Sequence, residues 1–161
     1  MLNFRPLERD DLDWFFSLNE ACVPEVNSLP LEELSRMISI ADYAKLVEEE
    51  GERLGAALAF APKADYASQN FLWFRERYAD FLYLDRIMVT EAARGRGAGK
   101  RLHEDLFNYA VGRTERITCE VNEIPPNPAS LAFHRNAGFE IVGRQKTEGG
   151  SKSVALMTRP L

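Results

Sequence analysis

The feature that most constrains the fold is one continuous stretch, residues 81–110, with the sequence FLYLDRIMVTEAARGRGAGKRLHEDLFNYA. Its apolar beginning predicts a strand, and its end places Leu102, Leu106 and Ala110 on one face of a helix. The loop between them, RGRGAGK, alternates glycine with basic residues. Because the first amides of a helix lack intrahelical partners and glycine lets a ligand approach the backbone closely, this unit predicts a phosphate-binding loop.

The remaining segments can be ordered around this unit by their turn residues and their periodicity. Before it we predict a short edge strand, two helices, and a hairpin that turns at Glu50 and Gly51, with Gly55 at a candidate bulge. After it we predict the strand RITCEVN and a helix that starts at Asn127 and ends at Gly138. The last two predicted strands are 139–144 and 154–158.

Composition limits the class of protein that such a chain can be. With 161 residues, 45% hydrophobic and 28% charged, it fits one globular domain, residues 1–161, with one principal site. A net charge of −5 argues against a general nucleic-acid binder, although the basic residues of the glycine-rich loop mark a place for a small anion. Two cysteines, Cys22 and Cys119, and two histidines are too few for a disulfide framework or a four-ligand metal site.

The sequence also bears on where the protein works. The N-terminal segment MLNFRPLERDD becomes charged where a secretory signal would turn hydrophobic. No apolar run reaches the length that spans a bilayer. We therefore expect a cytoplasmic protein with no membrane partner.

The segment 62–80, PKADYASQNFLWFRERYAD, is unusual because it places many aromatic side chains in a long connection between two strands. Long connections in compact domains are usually functional or disordered, and this one is too aromatic to be disordered. Two interpretations are open. The segment is either a surface helix whose aromatic rings cover the core, or a lid over a substrate.

Three kinds of phosphate-binding loop compete for RGRGAGK. A P-loop needs glycine five residues before its Gly-Lys pair, where this chain has Arg94, and Ser or Thr where it has Arg101. A loop for NAD needs its glycines directly after the strand, whereas residues 90–93 intervene here and Lys100 occupies the third glycine position. Glu120 lies near the sequence distance expected for a ribose ligand, so an NAD-binding protein stays an alternative.

The third kind of phosphate-binding loop matches RGRGAGK at each of its defining positions. Arg94-x-x-Gly97-x-Gly99 resembles the acetyl-CoA signature of the GCN5-related N-acetyltransferase (GNAT) superfamily. The predicted order of strands and helices resembles that fold along nearly the whole chain, and NPASLAFHRNAGFEIVG resembles its second motif, an Asn-started helix that ends in Gly-Phe. The resemblance implies a single-domain α/β (α+β) fold, with a mixed, twisted sheet of six to seven strands flanked by about four helices.

The resemblance also implies an activity and its residues. It implies an acetyl-CoA-dependent N-acetyltransferase, in which a primary amine of a small molecule or peptide attacks the thioester directly through a tetrahedral intermediate. In this family the loop amides hold the pyrophosphate, and the preceding strand aligns the pantetheine, with the Val89 amide as oxyanion donor. The residues assigned to acetyl-CoA in this way are Met88, Val89, Arg94, Gly95, Arg96, Gly97, Ala98, Gly99, Lys100 and Asn127.

Acetyl transfer to an amine needs a base for the amine, and two carboxylates compete for that role. Glu120 lies on the polar face of its strand, and CEVN resembles the ribosomal-protein alanine acetyltransferases, in which a glutamate at this place is the base. Asp85 stands beside Arg86 within an apolar run. Pairing with an arginine is the expected role of Asp85, and it is the structural alternative for Glu120 as well.

The departing thiolate needs a proton, and the resemblance assigns its delivery to a residue four positions before Gly138. The family commonly has tyrosine there, whereas this chain has His134. Imidazole can donate a proton near neutral pH, and a partly exposed packing histidine is the alternative. His103, the other histidine, is expected to face solvent on its helix.

The resemblance implies that the first helix pair and the connection before the central strand select the substrate, and these are residues 19–30 and 62–80 here. Neither segment resembles a specificity motif, so the sequence does not specify the acceptor amine. Asp85, Tyr83 and Trp73 are candidate substrate contacts. A protein of another class also stays open, namely a non-catalytic module that binds acetyl-CoA, or a partner protein, through the same loop. Nucleic acid is not expected as a partner, and a homodimer is one alternative for the assembly.

Overall fold

The computed structural model describes all residues, 1–161, and contains seven strands and five α-helices. The helices are α1 Leu12–Ala21, α2 Leu31–Ile40, α3 Gln69–Arg75, α4 Ala98–Ala110 and α5 Pro128–Asn136. The strands are β1 Asn3–Pro6, β2 Tyr43–Glu49, β3 Glu52–Phe60, β4 Leu82–Val89, β5 Arg116–Ile124, β6 Glu140–Thr147 and β7 Lys152–Pro160. None of the helices is both long and apolar enough to cross a membrane.

All seven strands form one sheet in the order β1-β2-β3-β4-β5-β7-β6, which confirms the predicted mixed sheet. Neighbouring strands are antiparallel except β4 and β5, which are parallel. These two pair only through Leu82 with Ile117 and Tyr83 with Thr118. The rest of β4 therefore has no strand partner on its β5 side, and a gap opens in the middle of the sheet.

The sheet is covered on both faces, and strand β3 shows how the sequence achieves this. In its run GAALAF, Ala57 and Ala59 pack into a core shared with α4. The alternate residues Ala56, Leu58 and Phe60 pack into a second core, shared with α1, α2 and α3. A strand buried on both faces is apolar at every position, because neither face contacts water.

The connection between β3 and β4 contains helix α3, which makes the number of helices five rather than about four. Phe71 and Phe74 lie one turn apart on this helix and are completely buried. Their burial explains why the segment is helical, and it matches the interpretation in which aromatic rings cover the core. The residues just before and at the start of α3 line a cavity described below.

The β2–β3 hairpin turns at residues 50–51, as predicted, and both have positive φ. The strand register shifts between Val47 and Glu48, which leaves Leu54 as the extra residue of a bulge beside Gly55. A Cβ atom at Gly55 would lie 2.5 Å from the Met88 carbonyl oxygen. Glycine is therefore required there, because β3 and β4 approach too closely for a side chain.

The last two strands, β6 and β7, are longer than the predicted 139–144 and 154–158. They pair from Glu140 with Thr158 to Thr147 with Lys152. The added residues are mostly polar and are held by ladder pairing of the backbone. An alternation of apolar side chains does not report such pairing, so the prediction ended too early.

Candidate active site

Two cavities meet in the middle of the sheet. The larger, about 520 Å³, occupies the gap between β4 and β5, and we name it the inter-strand cavity. The smaller, about 410 Å³, lies beside it against residues 65–70 and the segment between α1 and α2, and we name it the side cavity. The residues that line both are Glu25, Val26, Asp85, Arg86, Glu120 and Asn122. Groups bound in the two cavities can therefore meet at Glu120.

The glycine-rich loop has the backbone geometry that its sequence predicts. Gly95 and Gly97 have φ angles of 78° and 80°, in the region that favours glycine, and Gly97 is the N-cap of α4. The amides of Ala98 and Gly99 follow directly, in the first turn, where a helix provides no acceptor for them. These amides and the positive end of the helix dipole suit a diphosphate. Gly99 lies beside Val89, which lines the inter-strand cavity.

The basic side chains of the loop do not act together. Arg94 lines the inter-strand cavity. The guanidinium of Arg96 instead pairs with Glu49 at 3.0 Å and lies 3.9 Å from Glu52. Lys100 is exposed and lines a separate groove between α4 and α5. Of the three predicted cations, Arg94 is therefore the one that faces the cavity.

Backbone directions in β4 support one of the two predicted contacts and correct the other. The Thr90 amide donates to the Leu54 carbonyl of β3 at 2.8 Å. Because successive amides of a strand point to alternate sides, the Val89 amide points into the inter-strand cavity. The Met88 carbonyl faces Gly55 on β3. Met88 thus lines the cavity, but its carbonyl is directed away from a ligand there.

Glu120 projects from β5 at the junction of the two cavities and is half-buried. Its Oε2 accepts a hydrogen bond from the Tyr83 hydroxyl at 2.6 Å. No arginine pairs with it, so the structural alternative for this carboxylate is wrong. Burial, followed by the negative charge of Asp85, raises the pKa of Glu120 to about 8. A carboxyl group with such a pKa exchanges protons near neutral pH.

Asp85 has the predicted arginine partner. Its Oδ2 accepts from Arg86 Nε at 2.6 Å, and both side chains are 4% exposed. Its Oδ1 accepts from the Tyr66 hydroxyl at 2.5 Å. Asp85 lines both cavities, but each of its oxygens already has a donor within the protein. It is therefore placed to shape the site and to influence Glu120, not to take a proton itself.

Helix α5 begins as predicted, and it places His134 against the inter-strand cavity. The Asn127 side chain caps the helix by accepting from the Ser130 amide at 3.4 Å. His134 is buried, not partly exposed, and its Nδ1 donates to the Ser130 carbonyl at 2.8 Å. Burial lowers the pKa of His134, against the effect of this hydrogen bond. In the neutral imidazole the proton is therefore on Nδ1, and Nε2 carries a lone pair.

The expectation that His103 faces solvent is wrong. Its imidazole is 4% exposed and lies between the rings of Phe133 and Phe139, with centroid distances of 5.5 and 5.3 Å. Neither ring nitrogen has a hydrogen-bond partner. Burial, followed by repulsion from His134 in its protonated form and from the positive charge of Arg159, lowers the pKa of His103 to about 4. The buried face of α4 is thus wider than the positions of its leucine and alanine residues predict. It includes His103, because α5 covers that side of the helix.

Tyr83 and Trp73 line neither cavity, so neither offers a surface for a substrate. Tyr83 is completely buried and acts on the site through its hydrogen bond to Glu120. Trp73 packs so closely on Gly143 that a Cβ atom there would lie 2.5 Å from the indole. The Arg77 guanidinium covers its ring at 3.8 Å. Aromatic content alone did not distinguish packing from recognition in these two residues.

Comparison with known proteins identifies the family. The family model described as "Acetyltransferase (GNAT) family" matches residues 9–139. This range includes β4, the glycine-rich loop and β5. The chain belongs to the GNAT acetyltransferase family. The predicted family and the predicted single GNAT-like fold are both confirmed.

Individual GNAT proteins are related to the chain at low identity. The peptidyl-lysine N-acetyltransferase YjaB of Salmonella typhimurium (strain LT2) is 29% identical over 75 residues, which are 47% of this chain and 48% of that protein. The chain thus spans about half the length of this curated relative. The ribosomal-protein-S18-alanine N-acetyltransferase of Escherichia coli superposes with a TM-score of 0.76 at 16% identity, over 99% of this chain and 94% of that chain. Ard1 from Thermoplasma volcanium gives 0.79 at 12%, over 99% and 97%. At these identities the solved structures show the GNAT fold alone.

The resemblance placed substrate selection in residues 19–30 and 62–80, but sequence reasoning gave no role to several individual side chains of this GNAT site. They come from segments far apart in the chain and line or brace the side cavity: Asn19, Glu25, Val26, Asn27, Tyr66, Asn70, Arg86 and Asn122. One signal was available, because a charged pair inside an apolar strand must find buried partners. The partners themselves could not be named, since Arg86 and Asn19 are 67 positions apart.

Proposed function

We propose that this GNAT protein is an N-acetyltransferase that uses acetyl-CoA to acetylate a primary amine of a small molecule or peptide. The observation that carries the proposal is the unpaired gap between β4 and β5, whose cavity extends from Val89 and Arg94 to Glu120. A gap of this kind leaves backbone groups available to an extended ligand, and the loop at its end suits that ligand's diphosphate.

Acetyl-CoA would lie in the inter-strand cavity and supply the acetyl group as a thioester. The amides after Gly97 and the Arg94 side chain would hold its diphosphate. The Val89 amide, which points into this cavity, would donate to the acyl oxygen as negative charge develops on it. We name this half of the site the donor side, and the side cavity with its walls the acceptor side.

Glu120 is the proposed base for the incoming amine. It lies where the two cavities meet, so an amine in the side cavity approaches the donor past its carboxylate. The raised pKa makes Glu120 a stronger base than an ordinary carboxylate, although only its ionised fraction can accept a proton. The Tyr83 hydroxyl orients it by donating to its Oε2 at 2.6 Å.

His134 is the proposed second proton-transfer residue, in a more specific form than the sequence allows. With Nδ1 donating to Ser130, its Nε2 is the nitrogen left to serve the inter-strand cavity. Since the lowered pKa favours the neutral ring, Nε2 must first take up a proton before it can protonate a thiolate. We therefore propose that His134 relays a proton taken up during the reaction and does not hold one in the resting protein.

The proposed acceptor is a primary amine, and the names of relatives indicate which kinds of amine to test. YjaB is named for peptidyl lysine and the Escherichia coli protein for an alanine of a ribosomal protein, so both an ε-amine and a peptide N-terminus belong in any test. The side cavity, about 410 Å³, has room for a small amine or for the end of a peptide. A cytoplasmic location, the absence of a nucleic-acid partner and a homodimer stay predictions.

The decisive experiment measures release of CoA thiol from acetyl-CoA with a panel of amines. The panel comprises small diamines, lysine-containing peptides and alanine-started peptides. Acetylated product identified by mass spectrometry would support the proposal. If acetyl-CoA raises the melting temperature but no amine is acetylated, the non-catalytic binding module is the better description. Stabilisation by NAD and not by acetyl-CoA would exclude the proposed donor.

A further inference from the structure

The acceptor side is walled by two segments that belong to no strand. One is 22–30, between α1 and α2, whose Glu25 and Val26 line both cavities. The other is 65–70, before and at the start of α3, which lines the side cavity. Such connecting segments are free to move unless other parts of the protein hold them. What holds them decides the shape that an acceptor meets.

Both segments are attached to the same pair of residues on β4. The guanidinium of Arg86 donates from Nη2 to Asn27 Oδ1 at 3.1 Å, which holds the segment 22–30. Arg86 Nε donates to Asp85 Oδ2 at 2.6 Å, and Asp85 Oδ1 accepts from Tyr66 at 2.5 Å, which holds the segment 65–70. The pair thus spans the side cavity from one wall to the other.

Asn19 of α1 completes the attachment of the first segment. Arg86 Nη1 donates to Asn19 Oδ1 at 2.5 Å, and Asn19 Nδ2 donates to the backbone carbonyl of Asn27 at 3.0 Å. Asn27 is therefore held through both its side chain and its main chain. Asn19 is completely buried and Arg86 is 5% exposed, so the bond between these two side chains is shielded from water.

The arrangement is difficult to explain as a source of stability alone. A buried ion pair loses much of its Coulombic gain to desolvation, and an apolar pair of similar size often stabilises a fold equally well. A planar guanidinium, in contrast, fixes three acceptors in one geometry. Arg86 uses Nε, Nη1 and Nη2 for three different residues, so it supplies orientation to all of them at once.

We propose that Arg86 is a positioning residue for the acceptor. It holds the segment 22–30, with Glu25 and Val26, at a fixed distance from Glu120 across the junction of the cavities. This role rests on the proposed acetyl transfer. It can be distinguished from diphosphate binding, because the hydrogen bonds of Arg86 go to Asp85, Asn19 and Asn27 and none goes to the glycine-rich loop or α5. Asn27, which Arg86 holds, lines the side cavity and not the inter-strand cavity, so loosening these contacts should change the fit of the amine more than the fit of acetyl-CoA.

The test compares four full-length proteins: wild type, Arg86→Lys, Asn27→Ala and Ser28→Ala. Lysine keeps the charge beside Asp85 but cannot reproduce the three-way fork. Asn27→Ala removes one end of the attachment at an exposed residue, where unfolding is not expected. Ser28→Ala is the matched control, because its hydroxyl bonds Glu20 at 2.8 Å and lies outside the Arg86 network.

We expect Arg86→Lys and Asn27→Ala to raise the KM for the acceptor about tenfold, as loss of a hydrogen bond to a charged group does, while the KM for acetyl-CoA stays within twofold. Ser28→Ala should behave as wild type. Amide hydrogen exchange in residues 22–30 should be faster in Arg86→Lys and Asn27→Ala alone.

Other results would overturn the proposal in distinguishable ways. An unchanged acceptor KM in both variants, or an equal rise in the KM for acetyl-CoA, would mean that Arg86 is only a structural residue. If the wild type acetylates no amine at all, the proposed function fails with it. Hydrogen exchange then still decides whether Arg86 holds the segment. Equal protection of residues 22–30 in all four proteins would show that it does not.

Discussion

The two sides of the site differ in the material from which they are built. The donor side is made of backbone: the unpaired edge of β4, two glycines with positive φ and the first turn of α4. The acceptor side is made of side chains joined in a buried network around Arg86 and Asp85. A backbone site depends on local conformation, whereas a network of side chains depends on residues that the fold brings together from distant positions.

This difference predicts where substitutions act. On the donor side, a change that alters φ should matter more than the loss of a charge. On the acceptor side, removal of a single polar atom should matter, because the groups left behind are buried and unpaired. Glu120 belongs to both sides, so it should give the largest effect of all.

The largest expected effect is that of Glu120→Gln. Loss of a general base typically costs 10²- to 10⁴-fold, and we expect kcat to fall about 10³-fold. Glutamine keeps the size of the side chain, so the KM for acetyl-CoA should not change. Glu123→Gln on the same strand is the matched control, because Glu123 bonds Arg144 at 2.9 Å outside the proposed machinery. Steady-state kinetics would contradict the assignment if both variants lost activity equally.

The pH profile gives an independent check on Glu120. The ionised carboxylate is the active form, so kcat/KM should rise as pH increases through about 8, the raised pKa of this group. Stability should change in the opposite direction. A raised pKa in the folded state stabilises the fold at low pH, and this contribution is lost as pH rises towards about 8. Urea unfolding between pH 5 and 8 should show this loss in wild type and not in Glu120→Gln.

The next largest effect should come from glycine conformation on the donor side. Alanine at Gly97 must adopt a φ of 80°, which costs about 1 kcal/mol. Gly112, just beyond the other end of α4, has a φ of 81° and equally open surroundings, so Gly112→Ala carries the same strain. Both variants should lose similar stability in urea unfolding. Gly97→Ala alone should raise the KM for acetyl-CoA, by about tenfold. An equal rise in both variants would contradict the proposal that the glycine-rich loop binds acetyl-CoA through its backbone conformation.

The same difference explains how much the sequence could predict. The donor side was found because glycine spacing reports backbone conformation directly, as it does at Gly95 and Gly97. Asn127 was found as a helix cap for the same local reason. On the acceptor side the resemblance indicated only the segments 19–30 and 62–80. The side chains that join them were not predicted, since the attachment of Arg86 to Asn19 joins residues 67 positions apart. His103 was misplaced because its environment is supplied by α5, which the periodicity of α4 does not describe.

A smaller effect should separate the two arginines of the loop. Arg94→Ala should raise the KM for acetyl-CoA about fivefold, because this side chain faces the inter-strand cavity. Arg96→Ala should change it less than twofold, since Arg96 is paired with Glu49 at 3.0 Å. The effect of Arg94 should diminish at high salt, as expected for an exposed charge. Equal effects of both substitutions would mean that the loop attracts the donor by its total charge alone.

The smallest effect on catalysis, and a gain in stability, should come from His103→Phe. Both nitrogens of His103 are buried without partners, and phenylalanine can occupy the same place between Phe133 and Phe139. Removing an unsatisfied polar group should stabilise the fold by about 1 kcal/mol at pH 7.5, after allowance for the larger ring. Since the donor is held by backbone, the KM for acetyl-CoA should not change.

The pH dependence distinguishes this explanation from simple better packing. The folded-state pKa of His103 is lowered from 6.5 to about 4, so the unfolded chain binds this proton more readily. The wild type should therefore lose stability as pH falls from 6.5 towards 4, and His103→Phe should lack that part of the loss. Urea unfolding at pH 7.5 and pH 5 measures both quantities. If protonation of His103 contributes, the difference in free energy of unfolding between His103→Phe and wild type should be larger at pH 5 than at pH 7.5. An equal difference at the two pH values would indicate better packing alone.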